Sequence, residues 1–555
     1  MKKILYPIAA AAAAFCLISS DVLADTASRK SAISRNLDIF NSIYRELQTN
    51  YVDSIDADKS MNTAISAMLN QIDPYTEYIS ETDREDFQTI ASGEYAGIGS
   101  VILQRNGNVY ISDPQQGSPA QRAGLKPGDL IVAVDGDTVL GMTTPEVSKR
   151  LKGQPGTSVS VLVHRPYVGA DSVLTFDIVR ANIPVNTMPY YGVVGDGTGY
   201  IYLATFNEKS AGLVSDAVTE LKKDPRVKSI VLDLRDNGGG LLDAAVDIAG
   251  IFVPKGTEVV RYRGRETSQE KVFKTTRQPI DTKIPLVVLV NGNTASSSEI
   301  VAGSLQDLDR AVIVGTRSFG KGLVQNTRPL PYNGLLKVTF AKYYIPSGRL
   351  IQAIDYSHRN ADGSVARIPD SLTREFKTAG GRIVRDGGGI TPDVTVVYPE
   401  GNRLTYNIVS DLWSFDYANR FAAMNDTIAP MNEFVITDSI FEDFKKFIDP
   451  DRFKYDKYCE SGLDALREVA KVEGYMNDSV AAQFDVLAAM LKHDLNKDLD
   501  LNRQDIEEIL GMEIAGRYYN DAGETVQRLR HDIAVDSALN VLTTPGRYDS
   551  ILRKK

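Results

Sequence analysis

Apolar residues recur at helical spacing past the N-terminus: Leu37, Phe40, Ile43, Tyr44 and Leu47 make one stripe, and Ile65, Met68 and Leu69 begin another. Asp73-Pro74-Tyr75 follows as a turn, so residues 25–90 are expected to form a small helical region. From 91 to 182 the pattern shortens into β-type runs broken by glycine, at 101–103, 109–111, 130–134 and 159–163. Between 183 and 355, segments such as Ile230-Val231-Leu232-Asp233-Leu234 and Leu286-Val287-Val288-Leu289-Val290 are almost unbroken apolar runs. A strand covered by helices on both faces has that pattern, because neither face meets water. Residues 356–400 turn polar and glycine-rich and read as loops on the same unit, 183–400. Helical spacing with strong charge returns over 401–555, with no catalytic motif. The predicted fold is multidomain α/β: a core of buried strands, an inserted β-rich module over 91–182, and a helical region at each end.

The first 24 residues have another texture. Lys2-Lys3, an apolar stretch from Ile4 to Ser19 and then Val22-Leu23-Ala24 describe a secretory signal peptide cut after Ala24. At about 16 residues the apolar stretch is shorter than the ~20 a spanning helix needs, which favours cleavage over a retained anchor. Bulky Phe15 before Cys16 disfavours a lipid anchor there. The protein is expected to be secreted across the inner membrane, to the periplasm in an organism with an outer membrane.

Composition narrows the chemistry. The 555 residues, 43% of them apolar, suffice for roughly three to four domains. A net charge of −10 argues against nucleic acid as a partner. With only Cys16 and Cys459, and only His164, His358, His493 and His531, neither a disulfide scaffold nor a zinc site is expected. No cofactor or metal is predicted. Asp494-Leu495-Asn496-Lys497-Asp498 starts like a calcium loop, but Leu499 stands where that loop needs glycine.

Tyr95-Ala96-Gly97-Ile98-Gly99 opens the β-rich module, and Gly117-Ser118-Pro119-Ala120 leads through Ala123-Gly124-Leu125-Lys126-Pro127-Gly128-Asp129 to Asp135-Gly136. These blocks, in this order, resemble a PDZ domain. Glycines let the backbone approach a ligand, so consecutive N–H groups can hold a terminal carboxylate while an edge strand adds the peptide. Gly97, Ile98 and Gly99 are the candidate carboxylate loop.

Three motifs occupy the core. Asp233-Leu234-Arg235-Asp236-Asn237-Gly238-Gly239-Gly240 closes an apolar strand and offers unhindered N–H groups of the kind an oxyanion hole requires. Asn291 to Glu299 joins a second buried strand to a helix expected over 299–308. It brings Ser296, Ser297 and Ser298 to the helix N-terminus, where they can cap the helix or serve chemistry. Gly315-Thr316-Arg317-Ser318-Phe319-Gly320-Lys321-Gly322 mimics a phosphate-binding loop, but Gly322 stands where magnesium needs Ser or Thr. No histidine lies between His164 and His358, so the segment cannot build a Ser-His-Asp triad from its own residues. A triad using an outlying histidine is less favoured, and the best remaining base for a serine is a lysine whose ammonium is disfavoured by apolar surroundings. Lys321, between Phe319-Gly320 and Gly322-Leu323-Val324, suits a serine–lysine dyad with Ser296.

The order D-x-R-x-N-x-G-G, S-x-S-E-I and F-G-K-G-x-x-Q, behind a PDZ module, resembles the carboxyl-terminal processing peptidases (tail-specific proteases). Asp73-Pro74-Tyr75, Pro346-Ser347-Gly348-Arg349 and Gly389-Ile390-Thr391-Pro392-Asp393-Val394 resemble further landmarks of that family, so the likeness runs from about 70 to 395. The resemblance implies Ser296 as nucleophile, Lys321 as general base and Gln325 as the residue orienting it. It also implies the Gly239 and Ser297 N–H groups as oxyanion donors, with Asp307 structural. Two positions depart from the family's pattern: Ser297 replaces the usual alanine, and Gly238 replaces the proline of many members. The implied function is a secreted serine endopeptidase acting near or from the C-terminus of protein substrates whose free C-terminus the PDZ module recognises. Its alternatives are a non-catalytic PDZ adaptor and a fold retained to bind small hydrophobic ligands. The helical regions are open to homo-oligomer assembly or to an adaptor protein.

Overall fold

The computed structural model describes residues 31–553 apart from 85–86, 88–91, 168–171, 267, 269, 361–363 and 400. The expected signal peptide lies outside the described residues. The described residues divide into two compact units, one comprising those up to Tyr78 with Thr327–Leu330 and Leu335–Val338, the other the remainder.

In the first unit, a helix over 31–50 precedes the helix Ala57–Asn70, whose N-terminus is capped by the Asp56 side chain accepting from the Lys59 N–H. Asp73 builds the following turn by accepting from the Tyr75 and Thr76 N–H groups at 2.8 and 2.7 Å. The apolar stripe faces outward: Leu37, Phe40 and Ile43 are 57%, 43% and 55% exposed.

The second unit is built around a six-stranded sheet, ordered Tyr190–Val194, Thr198–Tyr202, Ser229–Asp233, Leu286–Val290, Val312–Gly315 and Val394–Thr395. The first pair is antiparallel and every later pair parallel. Ser229–Asp233 and Leu286–Val290 are buried at every position. Alternation divides their side chains between two apolar layers. Ile230, Leu232, Leu286 and Val288 pack under the helices Ser210–Leu221, Leu242–Ala249 and Ser297–Asp307. Val231, Val287 and Leu289 pack against Ala534, Val535, Ala538 and Val541 of the helix Ile533–Thr543. The C-terminal region therefore supplies the second layer of the core sheet as well as its own cluster around Phe441, Phe444 and Leu510.

The inserted module is a six-stranded antiparallel sheet running from Ser100–Arg105 to Val173–Val179, with the helices Pro119–Ala123 and Thr144–Leu151. Its Asp129 carboxylate accepts from Arg165 Nε and a terminal guanidinium nitrogen, both at 2.7 Å, which settles a buried charge. Asp494, first residue of the calcium-like stretch, is a helix N-cap accepting from the Lys497 N–H at 2.9 Å.

Candidate active site

Parallel pairing explains why motifs far apart in sequence meet. Asp233 pairs with Leu289, and Val290 with Gly315, so three adjacent strands end side by side. The loops leaving those ends are the glycine-rich, the serine and the lysine motif. Ligand sites of open α/β sheets form at this edge.

The glycine loop lies directly on the serines. A Cβ on Gly239 would lie 2.8 Å from both Ala295 O and Ser296 Cβ and 2.9 Å from Ser297 N, and Gly239 has φ +101°. Close approach and backbone conformation both demand glycine. Gly239→Ala is therefore expected to lower peptidase activity by about 10²-fold or more, the scale of a lost oxyanion donor. Steady-state assay of the folded variant checks this.

Two of the three serine hydroxyls are tied down: Ser297 donates to Gly240 O at 2.9 Å and Ser298 to Asn237 O at 2.8 Å. Ser296 alone keeps its hydroxyl hydrogen outside that loop. It stands half-buried at the N-cap of Ser297–Asp307 with φ 57° and ψ −116°, forming a capping box with Glu299. A non-glycine residue held at positive φ stores strain of about 1–3 kcal/mol, and sharp strand-to-helix turns present nucleophiles in this manner. The Ser297 N–H, first of the helix, finds no acceptor among the described residues. The Gly239 N–H is engaged within its own loop, donating to Asn237 Oδ1 at 2.9 Å.

Ser296 and Lys321 meet on Glu299. Its Oε2 accepts from both the Ser296 and the Lys321 N–H at 2.9 Å, while Oε1 accepts from Ser318 Oγ at 2.5 Å and the Gly320 N–H at 2.8 Å. Burial pushes this carboxyl up to about 7, against four hydrogen bonds that pull it down. Ser318 Oγ in turn accepts from the Ile390 N–H at 2.6 Å, which ties the 389–394 segment to the same node. On the carbonyl side, the Tyr343 hydroxyl donates to Ser296 O at 3.2 Å and to Lys321 O.

Gln325 lies half-buried on the strand Leu323–Pro329, its amide nitrogen donating to Thr339 Oγ1 at 3.1 Å. Its amide oxygen is the part chemically suited to a lysine ammonium. Asp307 is wholly buried, 2.8 Å from an Arg349 guanidinium nitrogen and accepting from the Ser347 N–H at 3.0 Å. It anchors the 346–349 segment. Asp233 and Arg235 also brace: Arg235 contacts Asp233 and Asp532 each at 2.6 Å, fastening the strand end to the cap of the sheet-covering helix Ile533–Thr543. Spacing alone showed neither Glu299's four-way role nor Tyr343. The S-x-S-E capping pattern held a signal for Glu299; nothing in sequence marked Tyr343.

In the inserted module, Gly97, Ile98 and Gly99 line a groove of about 290 Å³ with Tyr95, Ser100, Ile102, Ser148, Leu151 and Lys152. Ile98 O accepts from the Ala120 N–H and Gly99 O from the Gln115 N–H, while the Ile98 and Gly99 N–H groups find no acceptor among the described residues. Gly99 has φ +78°. Among the described residues no group of three or more His, Cys, Asp or Glu side chains is placed to hold a metal, and no helix is long and apolar enough to cross a membrane.

Residues 197–357 match the model of peptidase family S41, residues 110–165 that of a PDZ domain, and residues 404–542 that of a probable PDZ-protease C-terminal helical domain. A carboxy-terminal-processing protease of Bartonella bacilliformis is 38% identical over 332 residues, 59% of this chain and 75% of that protein. A probable CtpA-like serine protease of Staphylococcus aureus (strain COL) is 29% identical over 519 residues, 91% of this chain and 85% of that protein. Among solved structures, a photosystem II D1 C-terminal processing protease is similar at 29% identity over 64% of this chain and 87% of its own, with a TM-score of 0.35. PDZ module, α/β peptidase core and helical C-terminal domain together make a serine-type peptidase. The chain belongs to family S41, among the carboxy-terminal-processing proteases.

Proposed function

We propose that the protein is an exported endopeptidase that cleaves protein substrates near or from a free C-terminus through a Ser296–Lys321 dyad. The supporting observation is the shared carboxylate oxygen of Glu299, which holds both backbones at 2.9 Å. Lys321 Nζ, uncharged and held by Gln325, takes the Ser296 Oγ proton as Oγ bonds to the scissile carbonyl carbon. The oxyanion takes the free Ser297 N–H and competes with the neutral Asn237 amide for the Gly239 N–H, a contest a full charge wins. Collapse breaks the C–N bond, Lys321 returns the proton to the leaving amine, and water then hydrolyses the acyl-serine by the same base.

The PDZ groove presents two unengaged N–H groups to a terminal carboxylate, and its apolar lining suits an apolar last side chain. Residues 1–24 support export, with the periplasm as the proposed site. The exposed stripe at Leu37, Phe40 and Ile43 supports assembly with a second copy, and the helical regions leave room for an adaptor protein.

The test is cleavage of an unstructured polypeptide bearing a free or an amidated C-terminus, by wild type and Ser296→Ala. Amidation is expected to slow wild-type cleavage about tenfold by removing the charge-assisted contact, and Ser296→Ala to leave only background. Indifference to amidation sinks the terminal-carboxylate model; cleavage that persists in Ser296→Ala sinks the nucleophile.

A further inference from the structure

We propose that Tyr343 is a positioning residue whose hydroxyl sets the spacing between the Ser296 and Lys321 backbones. This rests on the dyad reading above. The two residues leave different strands and are separated by 24 others, so nothing covalent holds them in register. A lysine reaches its partner through four methylenes, and its aim depends on where its Cα is fixed. Glu299 holds the N–H groups of both residues. Tyr343 holds their carbonyls: its single hydroxyl hydrogen is shared between Ser296 O, at 3.2 Å, and Lys321 O. The N–H and carbonyl of both residues thus each contact one of two bridging side chains, and Ser296 O in addition accepts the first helical bond, from the Ile300 N–H at 2.9 Å.

The anchor behind that hydroxyl is firm. Tyr343 is 1% exposed, lies on the strand Leu335–Tyr344 within the main apolar layer, and donates its own N–H to Gly322 O at 3.0 Å. The ring therefore cannot follow a loop that drifts. Shifting either carbonyl breaks half of a shared bond, so the hydroxyl resists widening or closing of the gap. A misplacement of about 1 Å at reacting groups can cost about 10²-fold.

Tyr343→Phe keeps the ring and removes the bridge. We expect kcat to fall about 10- to 100-fold with KM within about twofold, since substrate binding is untouched. Acylation of Ser296 by a small fluorophosphonate should slow by the same factor. The alkaline rise of the pH–rate profile should move, which loss of packing alone does not cause. Lys321→Ala is measured in parallel. A Phe variant with wild-type kcat and an unmoved profile, beside an inactive Lys321→Ala, overturns the positioning role and spares the dyad; an active Lys321→Ala removes the dyad and this role with it. A Phe variant that does not fold, or that loses activity only in proportion to its unfolded fraction in a thermal melt, also overturns the proposal, because the hydroxyl would then serve stability.

Discussion

Lys321→Ala is expected to lower kcat for polypeptide cleavage by about 10²–10⁴-fold, the span that a positioned general base contributes. KM should change little, because the lysine acts on the Ser296 proton and not on the bound ground state. Ser296→Ala should fall to a similar floor, and the double variant should be no worse than the poorer single, since members of one catalytic unit do not add. Lys321→Arg should not rescue, because guanidinium keeps its proton throughout the working range and cannot serve as base. The pH dependence carries a sign. Only the uncharged amine accepts a proton, so wild-type kcat/KM should rise with pH until the lysine's own pKa is passed, and Lys321→Ala should lose that limb. Steady-state rates between pH 5 and 10 on one quenched peptide measure all of this. A Lys321→Ala enzyme within threefold of wild type would end the dyad.

The part of this site readable from sequence is the part carried by residue types that do chemistry at strand ends. Ser296 and Lys321 stand out because unbroken apolar runs precede them and histidine is missing between them. What the sequence hides is relation. Glu299 reads as ordinary first-turn charge, yet it gathers donors from 296, 318, 320 and 321 because parallel pairing stacks two loops on one helix start. Tyr343 is one aromatic among 26 tyrosines and phenylalanines besides, and its bridge exists only after a strand 47 residues past Ser296 returns. Whether Gly239 points its N–H outward or toward Asn237 is a matter of one peptide plane, which composition does not record. Helical spacing at 37–47 told that a stripe exists but not that it stays exposed, and the stripe at 534–541 did not announce that it covers the core sheet. Periodicity names a face, never the partner of that face.

Glu299→Gln should act on both rate and stability, in two separable readouts. Of its two orientations, the amide oxygen at the Oε2 place keeps both the Ser296 and Lys321 N–H bonds, but then the amide NH₂ opposes the Gly320 N–H, which the carboxylate now accepts at 2.8 Å. The reverse orientation puts NH₂ against both catalytic N–H groups and is worse. A buried donor left facing a donor costs about 1–3 kcal/mol. Felt in the geometry of the dyad, that corresponds to a kcat loss of roughly tenfold to a hundredfold. The second readout is stability against pH. The folded carboxyl, pushed up to about 7 from 4.5, holds its proton more tightly than the unfolded chain does. Its contribution to stability is fully present below about 4.5 and is lost as pH rises through about 7, amounting to about 3 kcal/mol. Wild type should therefore lose stability relative to Glu299→Gln as pH rises from about 4.5 to about 7, with the difference levelling off above about 7. Urea melts of both proteins from about one unit below that window to one unit above it decide the matter. Parallel curves would mean that this carboxylate is ionised at no unusual cost, and that its four hydrogen bonds offset its burial in full.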